Sequence, residues 1–340
     1  MVADGPAPLR QGHRTLAIVV GLVVSALAFW LALRGLRISD VIAHVRMVRP
    51  APLVAAVVLA TLTFPIRALR WRHLVRDTEG NVVAPAPAWH AVAIGFMGNN
   101  VLPLRAGEVL RAWALTRLAP VRMSSALASI AVERVFDALT VVGTLGLGLL
   151  LSGLASDVTL GGVQVATLAR RVGLLAAVAF LGAAAVLAWP SAFRHLLERI
   201  VPFSGLRYRL LALLDGVREG LAALRSPSRL AAVIGWSVIL WTVNAASFWA
   251  LLPAFGLQAD FGAALVVQGT VVFGVAVPSS PGYVGVFEAA IVLALALYGV
   301  PQDQALAYAL TYHAATFLPI ILLGAFSLAR TSLGWRDLRR

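Results

Sequence analysis

The sequence predicts an all-α integral membrane protein with six transmembrane helices plus two re-entrant helical hairpins arranged as an inverted repeat. Three observations predict it. First, 60% of the 340 residues are hydrophobic and 13% are charged, with a mean hydropathy of +0.87. Soluble domains are about 45–50% apolar and about 25% charged, so a soluble core cannot absorb this excess and lipid must serve as its solvent. Second, six apolar stretches are each long enough for a hydrocarbon layer about 30 Å thick at about 1.5 Å per residue. Third, two further apolar regions are interrupted by proline and glycine at positions that correspond in the two halves.

The six predicted spans are 15–33, 51–69, 124–151, 164–189, 230–252 and 305–328. The first is read as a membrane helix and not as a cleaved leader. Its apolar run is too long for a leader's core, and Arg34 and Arg37 follow it directly. The interrupted regions are 91–117, broken at Leu102-Pro103-Leu104-Arg105-Ala106-Gly107, and 261–298, broken at Pro278-Ser279-Ser280-Pro281-Gly282. Their arms, about 16–26 Å long if helical, are short for a span, and the break between them suits a hairpin that enters and leaves by one face. In residues 204–225, leucine and valine recur at three- and four-residue steps with arginine between them, which predicts an amphipathic helix on the cytoplasmic surface.

Arginine sets the orientation. The chain carries a net charge of +13, and arginine supplies all 28 of its lysine-plus-arginine positions. Loops 152–163, 253–260 and 299–304 have none and are placed outside. Segments 70–90, 190–229 and 329–340 are arginine-rich and are placed inside with the N-terminus, so both termini are cytoplasmic in a multi-pass protein of the cell (inner) membrane. Segment 34–50 falls outside in spite of four arginines, an exception to the rule. The whole of 1–340 then reads as one membrane domain: a first repeat at 51–151, a cytoplasmic linker at 190–229, and a second repeat at 230–328. The two repeats insert with opposite orientation, as in many secondary transporters.

The composition also excludes chemistry. There is no cysteine, so disulfides, thiolate metal sites and cysteine nucleophiles are ruled out. The six histidines form no metal-binding spacing. No Walker A, HExxH, GxSxG or GxGxxG motif is present, so neither enzyme activity nor a cofactor is expected. The arginines lie between apolar segments, which argues against nucleic acid as a partner; codon bias together with positive-inside loops accounts for them, and anionic lipid phosphate, which arginine grips bidentately, is the functional alternative.

Charges cluster where they are expensive, at roughly 2.5–3.5 kcal/mol each within a bilayer. Arg105, Glu108 and Arg111 recur at three-residue steps in the first hairpin. Glu133, Arg134 and Asp137 lie within span 124–151, and Glu133 and Asp137 share a helix face. Two readings are compatible here: an ion-pair network that pins hairpin to span, and a site for an anionic headgroup. Asn99 and Asn100 precede the first break, where they can satisfy freed backbone groups or a ligand. The second half offers Ser279, Ser280, Gly282 and Glu288 at its break, and Tyr312 and His313 inside the last span. On an offset that aligns Ala126-Leu127-Ala128 with Ala305-Leu306-Ala307, Glu133-Arg134 falls on Tyr312-His313.

Three motifs carry a resemblance. Asn99-Asn100-Val101-Leu102-Pro103-Leu104-Arg105-Ala106-Gly107-Glu108 followed by Arg111, Glu133-Arg134-Val135-Phe136-Asp137, and Pro278-Ser279-Ser280-Pro281-Gly282-Tyr283-Val284-Gly285-Val286-Phe287-Glu288 together resemble the signature elements of the lysylphosphatidylglycerol synthase transmembrane, or flippase-like, family. The resemblance implies a membrane domain that handles or translocates lipid. The substrate would be an anionic or modified phospholipid or a polyprenyl-type lipid. The sequence ends at Arg340 without the family's aminoacyltransferase domain, so aminoacyl transfer is not expected of it. Three functions follow as expectations: a lipid flippase or transporter, driven by a lipid gradient or by protons through Glu108, Glu133 or Asp137; an accessory subunit presenting lipid to a separate cytoplasmic glycosyl- or aminoacyltransferase; and a small-solute secondary transporter.

Overall fold

The protein's computed structural model describes residues 11–103, 106–152 and 226–331. Between 152 and 226 it adds the strands below and isolated helical positions from 167 to 211. The predicted span 164–189 as a continuous element, the amphipathic helix 204–225 and Arg105 lie outside the described residues.

Among the described residues the regular elements are helices, apart from one antiparallel pair of two-residue strands, β1 (Thr159–Leu160) and β2 (Val163–Gln164), and an isolated antiparallel bridge between Arg76 and Val82. Helix α1 (Gln11–Leu33) ends in a turn at Gly35 and gives way to the short α2 (Ile38–Arg46), which is bent 82° away from it. Helix α3 (Pro50–Leu74) follows, then the pair α4 (Pro85–Val101) and α5 (Gly107–Leu118), then α6 (Met123–Leu151). The second half repeats that order: α7 (Pro227–Leu251), the pair α8 (Phe261–Ala276) and α9 (Val286–Ala296), and α10 (Gln302–Arg330).

Local chemistry explains the starts and stops. Proline opens α3, α4 and α7, where a missing N–H costs nothing and the fixed φ favours a first turn. Asp260 caps α8 by accepting the Ala263 N–H at 2.8 Å. Glycine at 285 is obligatory: its φ is +91°, and a Cβ there would run into the Ser25 carbonyl of α1. Gly107 likewise sits so close to the Gly95 carbonyl that α4 and α5 can lie together only without a side chain.

Among the described residues, four helices are long and apolar enough to cross a membrane, or five if α1 and α2 form one bent span. The four arms α4, α5, α8 and α9 have 17, 12, 16 and 11 residues, all short of the roughly 20 residues a span requires.

The loops sort onto two ends of the bundle. At one end the Thr78 N–H donates to the Pro120 carbonyl at 2.8 Å, so both outer ends of the α4–α5 pair lie there. At the other, Arg49 N–H donates to Ala254 O at 3.4 Å, His44 meets Asp303 at 3.1 Å, and Gln304 Nε2 donates to Phe255 O at 2.7 Å. Both outer ends of α8–α9 lie at that second end. Segment 34–50, the exception in the arginine count, is anchored there too. It is built as α2, whose Ile38, Ile42 and Val45 are exposed while Val41 is buried.

Packing is reciprocal between the halves. The last helix of the first half, α6, lies against α8, and the last helix of the second half, α10, lies against α4, while α3 and α7 pack on one another. Two hydrophobic clusters result, one around each helix pair. Trp71, Val92, Ile94, Leu115 and Ile130 belong to the first, and Leu252, Ile291, Leu295, Leu306 and Tyr308 to the second. The two breaks meet between them, with Gly282 next to the Asn100 carbonyl.

Candidate functional site

A cavity of about 430 Å³ lies where the two halves meet. Asn99 and Asn100 of α4, Glu108 of α5, and Arg134 and Asp137 of α6 face it from the first half. Tyr312 and His313 of α10 face it from the second. Seven of the fourteen residues singled out in the sequence therefore line one cavity, although they come from four helices.

Behind that wall is a buried ionic cluster. Arg111 of α5 grips Glu133 with two parallel bonds, Nη1 to Oε1 at 3.1 Å and Nη2 to Oε2 at 2.9 Å, and its guanidinium lies 3.8 Å from the centre of the Trp71 ring. Arg134 donates to Glu133 Oε1 at 2.9 Å, lies 3.1 Å from Asp137 Oδ2, and reaches Glu108 at 3.7 Å. Glu133 is fully buried, whereas the Arg134 side chain is 42% exposed. The cluster ties α5 to α6 through Arg111–Glu133 and Glu108–Arg134.

Two further members were missed in the sequence. Arg70, fully buried in α3, donates from Nη1 to Asp137 Oδ1 at 2.7 Å and to Ser237 Oγ at 3.1 Å, and its Nη2 lies 3.1 Å from Glu133. Arg67, one turn earlier on the same face, lines the cavity. Its guanidinium lies 5.0 Å from the Phe96 ring and 5.4 Å from the Trp241 ring and makes no ion pair among the described residues. Trp241 in turn donates its Nε1–H to Asp137 Oδ1 at 3.0 Å. In the sequence, these arginines read as the punctuation that closes span 51–69. The signal that finds them is their spacing from Thr63, which puts all three on one face of a helix that continues to Leu74.

Arg67, Arg70, Arg111 and Arg134 thus meet Glu108, Glu133 and Asp137, leaving one positive charge without a carboxylate among the described residues. An uncompensated buried charge is costly, and aromatic faces offset it only by about 0.5–2 kcal/mol. Such a cavity favours an anion. Asn99 also lines the cavity; its Oδ1, buried beside Gly107 without a hydrogen-bond partner, is an acceptor, so only its amide N–H groups could serve an anion.

The second half is built otherwise. Glu288, buried in α9, faces His313, with Oε1 and Nδ1 2.5 Å apart, and its Oε2 accepts the Gly285 N–H at 2.6 Å. Tyr312 lies between Phe248 and Phe287, its hydroxyl 2.5 Å from Ser247 Oγ. Ser279 and Ser280 do not line the cavity. They pack on α1, where Gly21 abuts Ser279 and the Ser25 hydroxyl accepts the Ser280 N–H at 2.7 Å. Gly282 is buried against Phe317, and Glu288, Glu133 and Arg111 stand behind the cavity wall. Ala138, midway along α6, and Phe273 and Ala276, just before the second break, border the cavity and are exposed.

Residues 18–324 match the family described as the lysylphosphatidylglycerol synthase TM region. The chain is similar to "Glycosyltransferase AglD" of Haloferax volcanii, 32% identical over 93% of this chain and 54% of that protein. It is also similar to a "UPF0104 membrane protein" of Methanothermobacter thermautotrophicus, 22% identical over 93% of each. The chain thus spans about half the length of the Haloferax relative and nearly all of the Methanothermobacter one.

Proposed function

The chain belongs to the lysylphosphatidylglycerol synthase transmembrane family, and on that premise we propose that it carries anionic lipid between the leaflets of the cell membrane and is not itself an enzyme. In this reading six spans and two re-entrant hairpins form an inverted repeat, with both termini cytoplasmic. The short arms, the placement of each pair's outer ends at opposite ends of the bundle, and the reciprocal packing of α6 on α8 and α10 on α4 support it. The proline within each of the two long helices α3 and α10, Pro65 and Pro319, supplies a hinge beside the cavity in each half.

One observation carries the functional reading: Arg67, buried and without a carboxylate, faces a cavity bordered by both halves. A lipid phosphate would take Arg67 and the exposed side of Arg134 as donors, with Asn99 beside them. The exposed apolar residues Ala138, Phe273 and Ala276 give acyl chains a lateral route at mid-height, so the tails stay in the bilayer while the headgroup crosses.

The test is translocation of a fluorescent phosphatidylglycerol analogue in proteoliposomes. Arg67→Gln should lower the rate about tenfold or more, since a hydrogen bond to a charged group is worth about 1.5–3 kcal/mol, while the protein stays monodisperse. An unchanged rate overturns the proposal.

A second reading draws on the Haloferax relative, whose name is that of a glycosyltransferase and of which this chain matches about half. The membrane part would then present a lipid-linked substrate to a separate transferase. Stoichiometric co-purification of such an enzyme, with no lipid translocation by the isolated chain, would favour it.

A further inference from the structure

The ionisable groups of the cavity fall into two kinds. Glu133 and Asp137 are each held by guanidiniums, Glu133 by those of Arg70, Arg111 and Arg134, and Asp137 by those of Arg70 and Arg134. An arginine keeps its proton throughout the physiological range. These groups fix charge and do not exchange it. Glu288 faces no arginine among the described residues; its partner is His313. Imidazole is the one side chain whose ordinary titration falls between about pH 5 and 8.

The geometry gives that imidazole two different sides. Nδ1 meets the buried Glu288 carboxylate at 2.5 Å, and the side chain lines the cavity. Nε2 has no hydrogen-bond partner among the described residues and is not sealed from the cavity. The other oxygen of Glu288 holds the Gly285 N–H at the end of the hairpin break, so the charge of the pair is tied to the position of the hairpin. The titratable and charged groups that share the cavity with His313 are Arg67 from α3, Glu108 from α5, Arg134 and Asp137 from α6, Tyr283 from the break, and Tyr312 from its own helix; α4 and α7 contribute the neutral Asn99, Asn100 and Asn244.

We propose that Glu288 and His313 form a proton site that couples lipid movement to a proton gradient. The proposal rests on the lipid-transport reading and adds its energy source and direction. One proton enters from water on the acidic face and binds His313 Nε2. The imidazolium is held by the Glu288 carboxylate through Nδ1–H. With Glu288 ionised and His313 neutral, the four arginines and four carboxylates around the cavity balance, so the added proton gives it one positive charge and it takes up an anionic headgroup. When the cavity opens to the alkaline face the same proton leaves Nε2 for water, and the headgroup is released with it. One proton and one lipid anion cross together, so the step is electroneutral and moves lipid from the acidic to the alkaline side. This assignment differs from Glu108, Glu133 and Asp137, the proton carriers considered from the sequence.

The experiment uses the full chain in proteoliposomes with fluorescent phosphatidylglycerol as the probe, scored by dithionite accessibility at equal pH and with an acid-outside gradient. In the wild type the gradient should enrich the probe in the inner leaflet, by up to about tenfold for each pH unit at one proton per lipid, and clamping the membrane potential should leave this unchanged. His313→Gln, which cannot add the proton's charge to the cavity, should exchange the probe more slowly at equal pH and, under the gradient, should settle to an even distribution between the leaflets instead of the wild-type enrichment; Glu288→Gln should do the same. Because Glu288 also holds the hairpin, the His313 variant is the deciding one. A wild type that exchanges lipid at equal pH but ignores the gradient overturns the proton site and leaves the transport reading standing. So does a His313→Gln protein that still responds to the gradient. A wild type that exchanges no lipid at all overturns both.

Discussion

The two short helix pairs, α4–α5 and α8–α9, solve the same problem with different chemistry. Each brings an ionisable residue of its second arm against the last span of its half: Arg111 against Glu133 in the first, Glu288 against His313 in the second. In the first, guanidinium and carboxylate form a bidentate pair backed by two more arginines and the face of Trp71. In the second, a single carboxylate meets an imidazole, with no further charge bonded to either among the described residues. The contrast teaches that one helix plan can give a buried carboxylate either guanidinium or imidazole partners, and the proposed proton site rests on that difference in partner.

The largest effect should come from breaking the framework. Glu133→Ala leaves Arg70, Arg111 and Arg134 without their shared carboxylate, and breaking a buried pair costs about 3–5 kcal/mol. Loss of monodisperse protein, or a large drop in melting temperature in detergent, is the expected outcome. Glu288→Ala should cost less, about 1–2 kcal/mol, because it removes one helix-start bond and one histidine contact. If the two variants melt alike, the contrast between framework and switch is broken. Smallest of the three, Ser129→Ala keeps the Trp71 ring under Arg111 and removes only the acceptor of its Nε1–H bond at 2.9 Å, so a loss of about 1 kcal/mol is expected. A larger loss would mean that the seating of the indole, and not the ion pairs alone, holds the first framework together.

Much of this plan was legible in the linear chain. Pro103 to Gly107 and Pro278 to Gly282 mark the breaks because proline cannot donate a helical bond and glycine tolerates close approach. The four arms come out short, as their apolar lengths imply. Glu133 and Asp137, four residues apart, do share a face and do meet arginines. Arg67 and Arg70 were not found, because arginine at the end of an apolar run reads as the edge of the membrane, and only packing against α6 and α7 turned them inward. Ser279 and Ser280 carry no mark that would send them to α1 instead of the cavity, since their contact partners lie some 250 residues away in the chain.

Sequence alone determined what is local: hydropathy sets the helices, and proline and glycine set the breaks. Tertiary structure decided which arginine finds a carboxylate and which is left facing a cavity. That outcome depends on helices far apart in the chain, and electrostatic pairing depends on distances of a few ångströms that no spacing within one helix prescribes.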